Sequence, residues 1–259
     1  MLLTQENYYS KEADLEYMSV SQYKLFNECE AKALATIQGQ EDATFKSAYL
    51  EGQLFENLVA GDKNLFIAKH PELISSKGPT AGQLKSEYKK VLNAAEKFNS
   101  QEFFRNIIDN SEKQVILTGE ISGIKIKCCL DLFNKTIKDI TDIKCMKDFK
   151  EQWSKEKKIY IPWYYAYDYV LQLAVYKEIV RQNFNIDCNT HLIAATKEEV
   201  PDIQALHFDS NLLDLELETF KNNIVRYNDI KLGKINPISC GICSYCKEHK
   251  IIDNFKEVK

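Results

Sequence analysis

The chain has 259 residues, 34 Lys and Arg against 38 Asp and Glu, and a formal net charge of −4, with 44% hydrophobic and 28% charged residues. That composition belongs to an ordinary globular protein with one sizeable core, the chain shows no internal repeat or low-complexity segment, and the net charge argues against an indiscriminate polyanion binder. The opening MLLTQENYYSKEADLEY turns polar after three residues, and no later run of about 18 apolar residues could span a bilayer, so the expectation is a cytoplasmic protein with no membrane partner.

Residues 19–38 read as a helix capped by Ser19 or Ser21 and ended by Gly39, and 44–60 as a second helix closed by Gly61. Pro71, Gly78, Pro79 and Gly82 make 71–82 a loop, after which helical periodicity runs over 83–109. The period then changes. QVILTGEI (114–121) and IKIKCCLDLF (124–133) flank Ser122-Gly123, a hairpin signal, and IKDITDIK (137–144) is a third strand. A lysine-rich loop precedes a long helix over 162–183 with Pro162 in its first turn. A strand at 188–196 and a helix at 209–232, ended by Gly233, complete the pattern. The fold class is α/β, read as one domain over 1–259 with its core at about 44–200 and a C-terminal helix and cysteine-rich segment at about 209–250.

Alternation along a strand puts Asp142 and Lys144 on one face, and Asp131 on the polar face of its own strand, away from Ile124, Ile126, Leu130 and Leu132. Asp131 stands opposite Asp142 if the intervening turn centres between Thr136 and Ile137. A turn centred on Asn134-Lys135 would offset the acids by four residues, about 13 Å. Phosphodiester hydrolysis explains why such groups would meet. Carboxylates hold Mg²⁺, which polarises phosphate and activates water, and a lysine offsets charge on the phosphoryl group.

D-x-K alone is a weak string, met often as an exposed ion pair at a strand end. Three further features add to it. Gly52 and Glu56 lie four apart on the second helix, where the glycine would let that face approach another backbone closely. Gln172 and Tyr176 lie four apart in an apolar helical stretch, where a buried amide needs a polar partner. The order of these groups along the chain is the third.

The ordered series G-x-x-x-(H/E), D, D-x-K and Q-x-x-x-Y resembles the RecB-type branch of the PD-(D/E)xK (restriction-endonuclease-like) nucleases, which includes phage and prophage RecE-like exonucleases and CRISPR-associated RecB-like exonucleases. The resemblance covers about residues 19–250 and implies a mixed-sheet αβββαβ core with N-terminal helical additions and a C-terminal cysteine-rich clasp. It implies Glu56, Asp131, Asp142 and the Ile143 carbonyl as ligands of Mg²⁺ or Mn²⁺, two ions in all, with Lys144 catalytic and Gln172 and Tyr176 placing the metal-site groups and the DNA phosphate. Many relatives carry histidine where Glu56 stands. DNA is the implied partner, with a single-strand annealing recombinase and self-association as further partners.

Eight cysteines in a cytoplasmic chain argue against disulfides. Cys128, Cys129, Cys145 and Cys188 read as small buried hydrophobes. Cys240, Cys243 and Cys246 form C-x2-C-x2-C, a soft-metal signal that calls for a fourth ligand, either His249 for zinc or the distant Cys29. The resemblance implies a [4Fe–4S] cluster held by Cys29, Cys240, Cys243 and Cys246, although the last spacing is shorter than the family pattern; zinc is the alternative.

Residues 1–60 hold ten acids against four bases, whereas 125–158 hold ten lysines against six acids. Trp153, Tyr160, Trp163, Tyr164 and Tyr165 crowd around that lysine-rich stretch, where aromatics serve either base stacking or loop packing. No glycine-rich phosphate loop appears. The expected function is a metal-dependent DNA exonuclease of phage or prophage recombination or repair. The alternatives are a catalytically silent DNA-binding or recombination-accessory module of the same fold, and a metal-stapled protein-interaction domain.

Overall fold

The computed structural model describes residues 1–40, 43–154, 157–252 and 254–255, with the backbone alone over 43–48. Its elements in chain order begin with helices α1 (Lys11–Glu16), α2 (Val20–Glu28), α3 (Glu30–Ile37), α4 (Ala43–Ala60), α5 (Lys63–Lys69), α6 (Ser86–Asn99) and α7 (Glu102–Asp109). Strands β1 (Glu112–Ile121), β2 (Ile124–Asn134) and β3 (Asp139–Met146) follow, then the short β4 (Gln152–Ser154) and β5 (Ile159–Ile161). Helices α8 (Trp163–Ala166) and α9 (Tyr169–Phe184), strands β6 (Asn189–Thr196) and β7 (Ile203–His207), and helices α10 (Ser210–Lys231) and α11 (Ser244–Glu248) complete the chain. Among the described residues, no helix is long and apolar enough to cross a membrane.

Five strands form one sheet in the order β1-β2-β3-β6-β7, and β4 and β5 form a separate ribbon. Pairing is antiparallel for β2 with β3 and for β6 with β7, but parallel for β3 with β6. Parallel neighbours need a long crossover, and the segment carrying α8 and α9 supplies it. Ser122 (φ 52°) and Gly123 (φ 76°) both take the positive φ that a tight two-residue hairpin turn demands. The mixed sheet and the succession α4, β1–β3, α9, β6 form the expected α/β core.

Several expectations need correction. The helix expected over 19–38 breaks at Cys29, whose extended backbone (φ −167°, ψ 112°) ends α2 and starts α3. The helix expected over 162–183 is interrupted at Asp168, which takes the left-handed conformation (φ 53°) between α8 and α9. The lysine-rich loop contains the β4–β5 ribbon, and β7 was missed because its five residues carry too few alternations to stand out. Gly52 makes no close approach: a Cβ there would meet nothing within 4 Å among the described residues.

The chain divides into two compact units. The larger comprises Asp42–Leu117 and Cys129–Leu217. Its core joins Leu54, Phe55 and Leu58 of α4, Val91 and Phe98 of α6, and Phe104 of α7 to Leu132, Ile143, Ile193 and Ala195 on one face of the sheet. Phe98 is the hub, meeting Phe55 edge-on at 5.7 Å and Phe104 at 4.6 Å between ring centroids. Burying each such side chain contributes roughly 1.5–3 kcal/mol, and this face positions the neighbouring strands. The opposite face meets α9, where Phe133 stacks on Phe184 at 5.5 Å.

The smaller unit comprises Met1–Glu41, Thr118–Cys128 and Glu218–Lys259. Tyr23 lies 4.7 Å from Phe220, and Phe26 stacks on Tyr227 at 5.2 Å, which joins α2 to α10. Lys127 is buried at 2% exposure and pairs with Asp14 at 2.7 Å. Arg226 grips Glu30 through two bonds of 2.7 and 2.8 Å, and the same carboxylate accepts the Ile238 N–H at 2.7 Å.

Candidate active site

The β2–β3 register pairs Leu132 with Thr141, Phe133 with Ile140 and Asn134 with Asp139. Carried one residue further, it sets Asp131 against Asp142, so the turn centres between Thr136 and Ile137. Lys144 follows on the same face, one alternation along β3. Its ammonium lies 2.6 Å from Asp142 Oδ2 and 3.5 Å from Asp131 Oδ2, and donates to the Ile143 carbonyl at 3.2 Å. Asp131 Oδ2 also accepts the Ile143 N–H at 2.9 Å, which ties β2 to β3 through a side chain.

Asp142 is buried at 1% exposure, and Gln172 of α9 donates to its Oδ1 at 2.8 Å. The polar partner required by an amide in so apolar a helix is therefore a candidate site carboxylate. Tyr176 stands one helical turn later, half-buried. Glu56 of α4 is half-buried and feels the charges of Asp131, Lys144 and Asp142. Burial first, then Asp131 and Asp142 against the opposing pull of Lys144, push its carboxyl up to about 8. For Lys144, burial favours the neutral amine, but Asp142 and Asp131 outweigh it and raise its pKa above the ordinary lysine value.

Two residues at the site were not singled out from sequence. Gln114 donates to Asp131 Oδ1 at 3.4 Å, accepts from Cys129 Sγ at 3.2 Å, and has a positive φ of 52°. Tyr169 sets its ring 5.5 Å from the Lys144 ammonium and its hydroxyl 3.3 Å from Met146 Sδ. Neither carries a local signal, since a glutamine near a strand start and a tyrosine at a helix start are commonplace.

In the smaller unit, the thiols of Cys29, Cys240, Cys243 and Cys246 lie within 4.8 Å of one another. Cys29 Sγ is 3.5 Å from Cys246 Sγ, which is 3.8 Å from Cys240 Sγ. Extended backbone at Cys29, between two helices, presents its thiol to the C-terminal segment. The Ile242 and Cys243 N–H groups bring the Cys240 thiol down to about 6, while burial pushes Cys243 up to about 12. His249 is not part of the set. Its ring stacks on Tyr245 at 4.2 Å, and Nδ1 pairs with the Tyr245 carbonyl at 2.9 Å.

A mixed sheet presenting D…D-x-K on adjacent strands, with a helix-borne glutamate beside them, defines the PD-(D/E)xK class of fold. Residues 19–249 match the family described as "PDDEXK-like domain of unknown function (DUF3799)", and the chain belongs to that family. A crystal structure from Eubacterium rectale described as a "putative exonuclease" is 32% identical, with 99% of this chain and 97% of that chain covered and a TM-score of 0.88. The crystal structure of SSO0001 is 16% identical over 74% of this chain and 81% of that one, with a TM-score of 0.32. No curated protein matches the chain in sequence.

Proposed function

We propose that the chain is a divalent-metal-dependent deoxyribonuclease that digests DNA from its ends, with Glu56, Asp131, Asp142 and the Ile143 carbonyl as ion ligands. The observation that carries this reading is the convergence of three oxygens from Asp142, Asp131 and Ile143 on one positive charge, the Lys144 ammonium, at 2.6, 3.5 and 3.2 Å. These oxygens and Glu56 are hard donors suited to Mg²⁺ or Mn²⁺, and three carboxylates against one ammonium leave a surplus of negative charge for one or two such ions to balance. The rise at Glu56 reflects that surplus as well as burial. When bound, a divalent ion would supply Lewis-acid polarisation of phosphate and water.

The chain's own residues supply the rest. Lys144 stays protonated through the neutral range and offsets charge on the phosphoryl oxygens. Gln172 holds Asp142 Oδ1, which leaves Oδ2 facing the cation position. Tyr176, on the same helix, is a positioning residue for the phosphate.

The likeness to the E. rectale protein supports an exonuclease, and the ordered motifs support a place in phage or prophage recombination or repair beside a single-strand annealing recombinase. The test is a time course on end-labelled linear and closed circular DNA, with Mg²⁺ or Mn²⁺ and with chelator. Digestion of linear DNA alone, abolished by chelator, supports the reading. Intact linear DNA with either ion overturns it, and DNA binding without cleavage would indicate a silent module of the same fold.

We further propose that the four cysteines hold one tetrahedral soft ion, zinc before a [4Fe–4S] cluster. Bonds of about 2.3 Å to a single zinc separate thiolates by about 3.8 Å; two of the thiol pairs stand at 3.5 and 3.8 Å and all four thiols lie within 4.8 Å of one another, which supports that arrangement. A cubane cluster puts each thiolate on a different iron and spreads the four further apart.

A further inference from the structure

The β4–β5 ribbon follows β3, the strand of Asp142 and Lys144. Its register sets Trp153 directly against Tyr160, with ring centroids 5.3 Å apart and planes at 69°. Both rings face solvent, at 53% and 63% exposure, and the adjacent Ile159 is 53% exposed. The ribbon's root is anchored differently. Phe149 stacks on Trp163 at 5.0 Å, and Trp163, 3% exposed, donates through Nε1 to Gln204 at 3.1 Å. Large aromatics usually bury most of their area, so an exposed cross-strand pair on an anchored ribbon calls for an occupant.

The surrounding charge indicates which one. Lys147, Lys150, Lys157 and Lys158 are exposed, and none of them forms a salt bridge among the described residues. Protein-docking patches are depleted in lysine, whereas surfaces that hold single strands combine flat rings for bases with lysines for phosphates. Rings can interleave with successive bases only where those bases have left the duplex stack, whereas a blunt end offers no more than the outer face of its terminal pair.

We propose that Trp153 and Tyr160 form a stacking platform for unpaired nucleotides of the DNA strand being digested, with the four lysines taking its phosphates. This rests on the nuclease reading above and narrows its substrate to DNA ends with unpaired bases. The two rings are specificity-determining residues and take no part in the hydrolysis.

The chain has two tryptophans, Trp153 exposed and Trp163 buried, so fluorescence reports the platform directly. Full-length protein is titrated with an oligothymidylate carrying cleavage-resistant phosphorothioate linkages, and in parallel with a blunt duplex of the same linkage. The oligothymidylate should quench the emission, and Trp153→Phe should remove that response. The double variant Trp153→Ala/Tyr160→Ala should weaken oligothymidylate binding by about tenfold or more while changing blunt-duplex binding by less than about twofold. Trp153→Phe/Tyr160→Phe, which keeps both rings, should restore the affinity. Unchanged oligothymidylate binding in the alanine pair, or an equal loss on the blunt duplex, overturns the proposal. Digestion of linear DNA by the wild-type chain without any role for the rings would sink the platform alone. Ring-dependent binding without digestion would sink the nuclease reading alone.

Discussion

Gln172 Nε2 donates a 2.8 Å hydrogen bond to Asp142 Oδ1, so a buried amide on α9 orients a buried carboxylate on β3. The bond links the crossover helix to the strand that carries D-x-K. It also fixes which oxygen of Asp142 meets Lys144.

Removing that amide should be felt in both folding and turnover. Gln172→Ala leaves a buried carboxylate oxygen without its donor, which costs about 1–3 kcal/mol of stability. Urea unfolding measures the stability change, and DNA hydrolysis at saturating Mg²⁺ should slow by about tenfold. A variant as stable and as active as wild type would show that the bond orients nothing of consequence.

Asp142→Asn keeps the volume and the hydrogen bond but removes the charge that meets Lys144. Hydrolysis of linear DNA should fall by at least about a hundredfold, with DNA affinity within a few-fold of wild type. Gel shifts and end-label release, run side by side, separate the two effects. Retained cleavage would remove Asp142 from the ion site.

Lys231, in the smaller unit, offers a test of pH dependence. Burial, partly offset by Asp14 and reinforced by Lys127, lowers its pKa to about 8. Its ammonium donates to the Tyr17 carbonyl at 2.6 Å and to Gln22 Oε1 at 3.2 Å. The ordinary lysine value governs the unfolded chain, so between about pH 8 and 10 the unfolded state binds more protons and stability should rise with pH. Below about 8 both states are charged and the contribution is flat. The difference between wild type and Lys231→Met in urea midpoints across this window isolates the effect from titrating tyrosines and thiols. A difference that falls with pH would contradict the assignment.

Cys243→Ser and Cys29→Ser should each lower bound metal from one equivalent toward none and lower the melting temperature, although Cys29 is far from the others in sequence. Elemental analysis identifies the ion. Four irons with matching sulfide would replace zinc by a cluster, and full metal in Cys29→Ser would remove Cys29 from the site.

Much of this architecture was legible from local pattern. The period-2 runs located β1, β2 and β3, and strand parity placed Asp142 and Lys144 on one face. The demand of a buried amide for a partner singled out Gln172. Short elements escaped, because the three-residue strands of the β4–β5 ribbon and the five of β7 offer too few alternations to rise above their surroundings. The break at Cys29 escaped for another reason: helical spacing continues through 19–38, and only the extended backbone at Cys29 separates α2 from α3.

By itself the sequence determined which residue types could do chemistry, the faces of the strands they occupy, and their order along the chain. Periodicity and side-chain chemistry are local properties, readable residue by residue. Tertiary structure alone decided between two registers of β2 against β3, brought Asp131 level with Asp142, and placed Glu56 within reach of both charges. It likewise joined Cys29 to Cys240, Cys243 and Cys246. Where a turn centres, and which distant thiols meet, depends on the packing of apolar faces far apart in the chain, and no local pattern encodes that.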